Sequence, residues 1–69
     1  MVNIERLKTA LKSRGVTIEQ ASERIGVNPA TFYRRISQDG KNFTVAEVGM
    51  LVNLLGLDAK DMQAIFFEK

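Results

Sequence analysis

Residues 16–36 read VTIEQASERIGVNPATFYRRI, and this stretch decides the fold that the sequence predicts. Two apolar stripes at helical spacing, one ending at Ile25 and one built on Phe32 and Ile36, indicate two short amphipathic helices. Only Gly26-Val27-Asn28 lies between them. A three-residue turn that opens on glycine is typical of a helix-turn-helix unit with a protruding second helix. Other tight corners between two helices share this pattern, so the flanking sequence has to support the interpretation.

The same apolar spacing predicts five helices in the whole chain, near residues 4–14, 18–25, 29–38, 45–55 and 59–67. A residue that can cap a helix N-terminus precedes each of them: Asn3, Thr17, Asn28, Thr44 and Asp58. Gln20 and Glu47 follow the two threonines by three residues, as in a capping box. The predicted fold class is therefore all-α, with residues 1–69 forming a single compact domain.

The composition limits the chemistry that the chain can perform. The 69 residues leave room for one domain and contain neither Cys nor His. Disulfides, the common metal sites and the usual nucleophiles are thereby removed, so we expect no cofactor and no enzymatic activity. No apolar run approaches the ~20 residues that span a bilayer. Polar residues also interrupt the N-terminus from position 3, so we expect no signal peptide, no membrane association and a cytoplasmic location.

The net charge of +2 is unevenly distributed. Residues 1–42 carry eight basic and four acidic side chains, whereas residues 43–69 carry two basic and four acidic ones. A mildly basic first half favours a polyanionic partner, although a solvated surface explains the same excess equally well.

The chain resembles a known family at a set of residues in and around the second and third helices. These residues are Thr17 and Glu19, Ile25-Gly26-Val27-Asn28, Thr31-Phe32, Ile36 and Gly40-Lys41. They resemble the lambda-repressor-like family of phage Cro and repressor DNA-binding domains. Residues 43–67 look like the last two helices of small prophage repressor-like proteins, so the resemblance covers almost the whole chain. It implies a five-helix fold and a sequence-specific transcriptional regulator, in a bacterium or a phage-infected host, whose third helix enters the major groove of double-stranded DNA.

The chain also departs from this family's pattern. Ile18 stands where many relatives carry a Gln that braces the third helix and touches a phosphate. Pro29 and Ala30 stand where relatives often carry base-reading Gln or Ser. The resemblance therefore implies no particular target sequence.

The face of the third helix opposite Phe32 and Ile36 presents Pro29, Ala30, Tyr33, Arg34 and Ser37. We expect base contacts from three of these residues. The guanidinium of Arg34 can bond O6 and N7 of guanine together, and Ala30 can touch a thymine methyl group. Tyr33 can touch a thymine methyl group, pack on the sugar-phosphate backbone or bond a phosphate. The alternatives are an Arg on a solvated face, a Tyr half-buried in the core and an Ala that only favours the helix.

Helix N-termini attract anions, and Thr17 and Thr44 begin the helices on either side of the third one. The residues for which we expect phosphate contacts are Thr17, Thr31, Arg35, Ser37, Lys41, Asn42 and Thr44. Both threonines are expected to cap their helices, and a phosphate contact would be added through the neighbouring backbone N–H groups; the alternative is capping alone. For Lys41 and Asn42 the alternative is a solvated turn. For Arg35, pairing with a neighbouring carboxylate is an equal alternative.

Helix-turn-helix proteins usually bind two half-sites as symmetric dimers, because one small module buries little DNA. We expect a homodimer, at least on DNA, formed through the last helix at Ile65 and Phe67. Gly49 marks either close packing of another helix or a weak point in the fourth helix.

The alternative function is a protein-interaction module, such as an antitoxin-like or phage regulatory partner with the same fold. A steep dependence of affinity on salt would favour DNA over a protein partner. No small-molecule ligand is expected in either case.

Overall fold

The computed structural model describes residues 2–67, and these residues form five α-helices and no strand. The helices are α1 (Ile4–Ser13), α2 (Ile18–Ile25), α3 (Pro29–Ser37), α4 (Val45–Leu55) and α5 (Ala59–Phe66). The predicted all-α class is confirmed. Helices α1, α3 and α5 end one residue before their predicted C-termini. The Cα radius of gyration is 10.6 Å, close to the ~11 Å expected of a compact chain of this length.

Local capping explains where each helix begins. The side chains of the five predicted cap residues each accept a hydrogen bond from the backbone N–H three residues later. At Thr17 and Thr44 the bond is reciprocated by the side chain of Gln20 and Glu47, so both predicted capping boxes are present. The apolar residue before each cap packs against the core, as a hydrophobic staple requires.

The core lies where α2 packs against α3 and α4, and α1 packs against α5. Phe32, Leu7 and Leu51 are its largest fully buried hydrophobic side chains. The backbone N–H of Asn3 donates to the carbonyl oxygen of Ile65 at 2.6 Å, which attaches the start of the chain to α5. Because Phe32 belongs to this core, one face of α3 is buried and the opposite face is exposed to solvent.

Two glycines have opposite surroundings. Gly40 is buried with a φ of +71°, and a Cβ placed there would lie 2.7 Å from Cβ of Val2. Gly49, in the middle of α4, is exposed, and a Cβ there would meet nothing within 4 Å. Gly40 is thus required by its backbone conformation and its neighbour, whereas Gly49 marks no close packing of another helix within residues 2–67.

Arg14, the C-terminal cap residue of α1, connects three helices. Its Nε donates to the backbone carbonyl of Leu55 at the end of α4. Its Nη2 lies 3.5 Å from Oδ2 of Asp61 in α5. The contact with Leu55 satisfies a carbonyl that α4 itself leaves without an intrahelical partner.

Candidate functional site

The outer face of α3 is the most prominent candidate site. All five residues predicted for this face are exposed: Pro29, Ala30, Tyr33, Arg34 and Ser37. Tyr33 is 53% exposed, so it is not the half-buried core residue of the alternative interpretation. Phe32, on the opposite side of the helix, is fully buried. The predicted orientation of α3 is confirmed.

Among these residues, Arg34 has the side chain best suited to a polar ligand. It makes no ion pair with any other residue between positions 2 and 67. Its backbone carbonyl accepts a hydrogen bond from Oγ of Ser37 at 2.7 Å. The guanidinium of Arg34 is therefore open to an incoming acceptor, whereas the single hydroxyl proton of Ser37 must be withdrawn from Arg34 before it can bind a phosphate.

A cluster beneath α3 fixes the position of this face. The Phe32 and Phe43 rings meet edge to face, with centroids 5.3 Å apart. The guanidinium of Arg35 lies over the ring of Phe43, 5.8 Å from its centroid. Arg35 Nη1 also donates to Oε1 of Glu47 in a pair whose side chains are only 18% and 13% exposed. These contacts join the last turn of α3 to the first turn of α4.

The alternative given for Arg35, pairing with a neighbouring carboxylate, is present in the structure, and the phosphate contact stays a prediction. Arg35 is largely buried against Phe43 and its charge is used by Glu47. Glu47 occupies Nη1 of Arg35, so a phosphate would have to use the remaining N–H donors of the guanidinium.

Glu47 has a role that its position in the capping box alone does not reveal. Its Oε1 accepts from both the backbone N–H of Thr44, at 3.0 Å, and the guanidinium of Arg35. The hydrogen bond from Arg35 is the main reason that the pKa of Glu47 lies below its ordinary value; burial opposes this effect and the Thr44 backbone N–H adds to it. Glu47 is thus ionised at neutral pH, and one carboxylate both caps α4 and anchors α3.

The two helix N-termini beside α3 differ as anion sites. In both α2 and α4 the cap oxygen is used by the third helical amide, so the first two amides of each helix remain outside the cap. Glu19 lies in the first turn of α2 and opposes an anion there. The acid in the first turn of α4 is Glu47, whose charge Arg35 offsets. The N-terminus of α4 is therefore the more favourable site.

Lys41 and Asn42 extend that site, because both are exposed in the turn before α4. Asn42 uses one amide proton of Nδ2 to bond Oε1 of Gln38, which leaves it a second proton. Thr31 is half-buried in the first turn of α3, and its backbone N–H bonds the Asn28 side chain. Nothing in the structure tests a phosphate contact at Thr17, Thr31, Ser37, Lys41, Asn42 or Thr44, and these contacts stay predictions.

The dimer surface predicted on α5 requires a correction. Ile65 is only 4% exposed and belongs to the core, so its side chain offers no surface to a second copy. Phe67 is 58% exposed and lines a groove of about 240 Å³ that also borders Val45, which is 90% exposed. The sequence does not reveal this exposure, because Val45 lies three residues before Val48 and so shares the apolar spacing of α4. The exposed apolar surface at this end of the molecule consists of Val45 and Phe67.

The described residues 2–67 contain no group of three His, Cys, Asp or Glu side chains that could hold a metal ion. Over the same residues, none of the helices has the length and apolar character needed to cross a membrane. In comparisons with known proteins, no protein-family model, no curated protein and no solved structure matches this chain significantly.

Proposed function

We propose that the chain is a sequence-specific double-stranded DNA-binding regulator of lambda-repressor-like type, acting in the cytoplasm of a bacterium or a phage-infected host. In this proposal α2 and α3 form a helix-turn-helix unit, and α3 enters the major groove. The observation that carries the proposal is the outer face of α3, where Ala30, Tyr33 and Arg34 are exposed on a helix anchored from below.

The chemistry of that face suits the edges of bases. Arg34 presents a planar donor fork without an internal ion pair, and such a fork bonds guanine bidentately. Tyr33 and Ala30 flank it with apolar surface for a thymine methyl group. Pro29 is the first residue of α3 and has no backbone N–H, so the end of α3 that would approach the bases has one fewer unpaired backbone donor.

Phosphate contacts would come from the turn before α4 and the first amides of α4. Lys41, Asn42 and the α4 N-terminus lie in sequence directly after the turn that follows α3. Contacts of this kind set the depth and register of a recognition helix without reading sequence. The N-terminus of α2 at Thr17 would supply a second phosphate contact. This contact would be weaker, because the carboxylate of Glu19 in the first turn of α2 repels a phosphate.

A homodimer on DNA is part of this proposal. The groove bordered by Val45 and Phe67 also includes Lys41, and it is the surface that we assign to the second copy. Two half-sites about one helical turn apart then match the two-fold symmetry of the protein.

Selection of bound sequences from random duplex DNA tests the proposal, because it returns the motif, its symmetry and its spacing together. We expect Arg34→Ala to relax the preference at one base pair and lower discrimination by about 1–3 kcal/mol. We expect Lys41→Ala to weaken all duplexes equally and to reduce the slope of log affinity against log salt by about 1. Lys60→Ala, at an exposed position of α5, is the matched control for loss of one positive charge.

A protein-interaction module is the second candidate, and the exposure of Val45 and Phe67 favours it. Selection that enriches no motif, together with an affinity for DNA that hardly depends on salt, would exclude the first candidate and leave this one.

A further inference from the structure

A second groove, separate from the one bordered by Val45 and Phe67, lies between α3, α1 and the start of α2. Its volume is about 430 Å³. Leu11, Val16, Ile18 and Ile36 form an apolar floor, and Tyr33 forms part of one wall. Val16, Ile18 and Ile36 remain half-buried, so the fold leaves this apolar surface partly open to water. Apolar surface that remains open to water in this way is available to the apolar side chains of a partner.

The rim of the groove is positively charged, through Lys8 and Lys12. Lys8 and Lys12 stand one helical turn apart on α1, and no carboxylate belongs to the lining. Lys8 reaches Glu5 only at 3.9 Å, in a pair whose side chains are 56% and 88% exposed, so that contact contributes little. Lys12 makes no ion pair with the described residues 2–67. The lysine stems extend the apolar walls while their ammonium groups stay in water.

We propose that this groove binds an acidic amphipathic helix of a protein partner. An apolar floor takes leucine-like anchors at helical spacing, which is the usual way in which a helix occupies a groove. Carboxylates at the edge of that helix, one turn apart, would then face Lys8 and Lys12. A DNA phosphate backbone would satisfy the lysines, but it has no apolar group for the floor, so the lining favours a peptide over DNA.

Binding in the groove also has a consequence that rests on the proposed function. Tyr33 belongs both to the groove and to the outer face of α3, and Thr17 lies at the opposite rim. A helix seated in the groove covers both residues. The partner and DNA therefore compete for the protein, and the partner releases the regulator from DNA without altering its fold.

The test titrates the full chain, without DNA, with a synthetic amphipathic peptide of about 15 residues, long enough to form a helix. The peptide carries leucines along one face and glutamates beside them. One matched peptide has lysine at each glutamate position, and another has serine at each leucine position. Backbone amide NMR shifts locate binding, and we expect them at Val16, Ile18 and Ile36 for the glutamate peptide alone.

Charge variants then test the rim. Lys8→Gln with Lys12→Gln should weaken the glutamate peptide about fivefold, the effect of losing two exposed ion pairs. Lys8→Glu with Lys12→Glu should reverse the preference and bind the lysine peptide better. Lys60→Glu, outside the groove, is the control and should change neither affinity. Circular dichroism verifies that each variant is folded.

Several results would overturn the proposal: no binding of the glutamate peptide up to about 1 mM, equal binding of the glutamate and serine peptides, or shifts confined to other surfaces. Failure of DNA binding is a separate outcome, because the peptide titration contains no DNA. A chain that binds the peptide but no DNA would refute the proposed function alone, and the reverse would refute the groove alone.

Discussion

The substitution Glu47→Gln separates the two roles of this side chain. Glutamine keeps an Oε1 that accepts from the Thr44 backbone N–H, so the capping box survives. The charge that pairs with Arg35 is lost. Because both side chains of the pair are largely buried, at 18% and 13% exposure, the neutral variant leaves a desolvated guanidinium with a weaker partner. We expect α3 to be less firmly attached to α4.

The expected cost is about 2 kcal/mol in the free energy of unfolding, since hydrogen bonds to charged groups contribute about 1.5–3 kcal/mol. For a domain of this length, that corresponds to a fall of about 8–16 °C in Tm. The other capping box supplies a matched control. Gln20 reciprocates the Thr17 cap without any charge, so Gln20→Glu leaves the pattern of hydrogen bonds intact and should change stability far less.

The pH dependence has a definite sign. The folded pKa of Glu47 is lowered, so ionised Glu47 stabilises the fold above its unfolded pKa of about 4.3, and this stability is lost as the pH falls through the folded pKa. The gap between wild type and Glu47→Gln should therefore be full at pH 7 and shrink towards pH 3. Urea unfolding followed by circular dichroism measures it, because the chain has no Trp.

A double-mutant cycle with Arg35→Met assigns the effect to the pair. We expect a coupling free energy above about 1 kcal/mol between Arg35 and Glu47. The reasoning would be refuted if Glu47→Gln unfolded within about 0.5 kcal/mol of wild type, or if the gap were the same at pH 3 and pH 7. Either result would mean that the ion pair between Arg35 and Glu47 adds nothing to the free energy of unfolding.

Three further predictions concern single contacts. Gly40→Ala should lower the free energy of unfolding by more than about 1 kcal/mol, because the φ of +71° disfavours a Cβ, which would also meet Val2. The same change at Gly49 should raise the free energy of unfolding by up to about 1 kcal/mol. Urea unfolding measures both changes, and changes of the same sign would contradict the packing described. Phe67→Ser should leave Tm almost unchanged, since the side chain is 58% exposed, and under the proposed function it should lower cooperative binding to a duplex with two half-sites; unchanged cooperativity in a gel-shift titration would contradict the proposed role of Phe67 in a dimer. Arg14→Met should cost about 1 kcal/mol by leaving the Leu55 carbonyl without its side-chain donor, and a thermal melt indistinguishable from that of wild type would show that water replaces the contact.

The helices could be predicted because their signals are local. A cap at Thr17 or Thr44 acts three residues along the chain, and an apolar stripe repeats every three or four residues. The orientation of α3 followed from the same periodicity. These features depend on short stretches of sequence, and the tertiary structure does not override them.

The tertiary contacts could not be predicted in the same way. Arg35 meets Glu47 twelve residues along the chain, and Arg14 meets Leu55 forty-one residues along it. Both contacts depend on how the helices cross, which the apolar pattern does not specify. Ile65 was assigned to a surface although it shares the α5 stripe with buried Phe66, and that shared stripe already favoured the core. The groove beside Lys8 and Lys12 likewise exists only once α1, α2 and α3 are assembled.

The outer face of α3 and the cluster beneath it use different side chains. Phe32 and Arg35 hold the helix, while Ala30, Tyr33 and Arg34 point away from every internal contact just described. Exposed helix positions of this kind usually tolerate replacement within about 0.5 kcal/mol. A library randomised at these three positions should therefore remain folded. Under the proposed function, its members would differ in the DNA sequence that they bind.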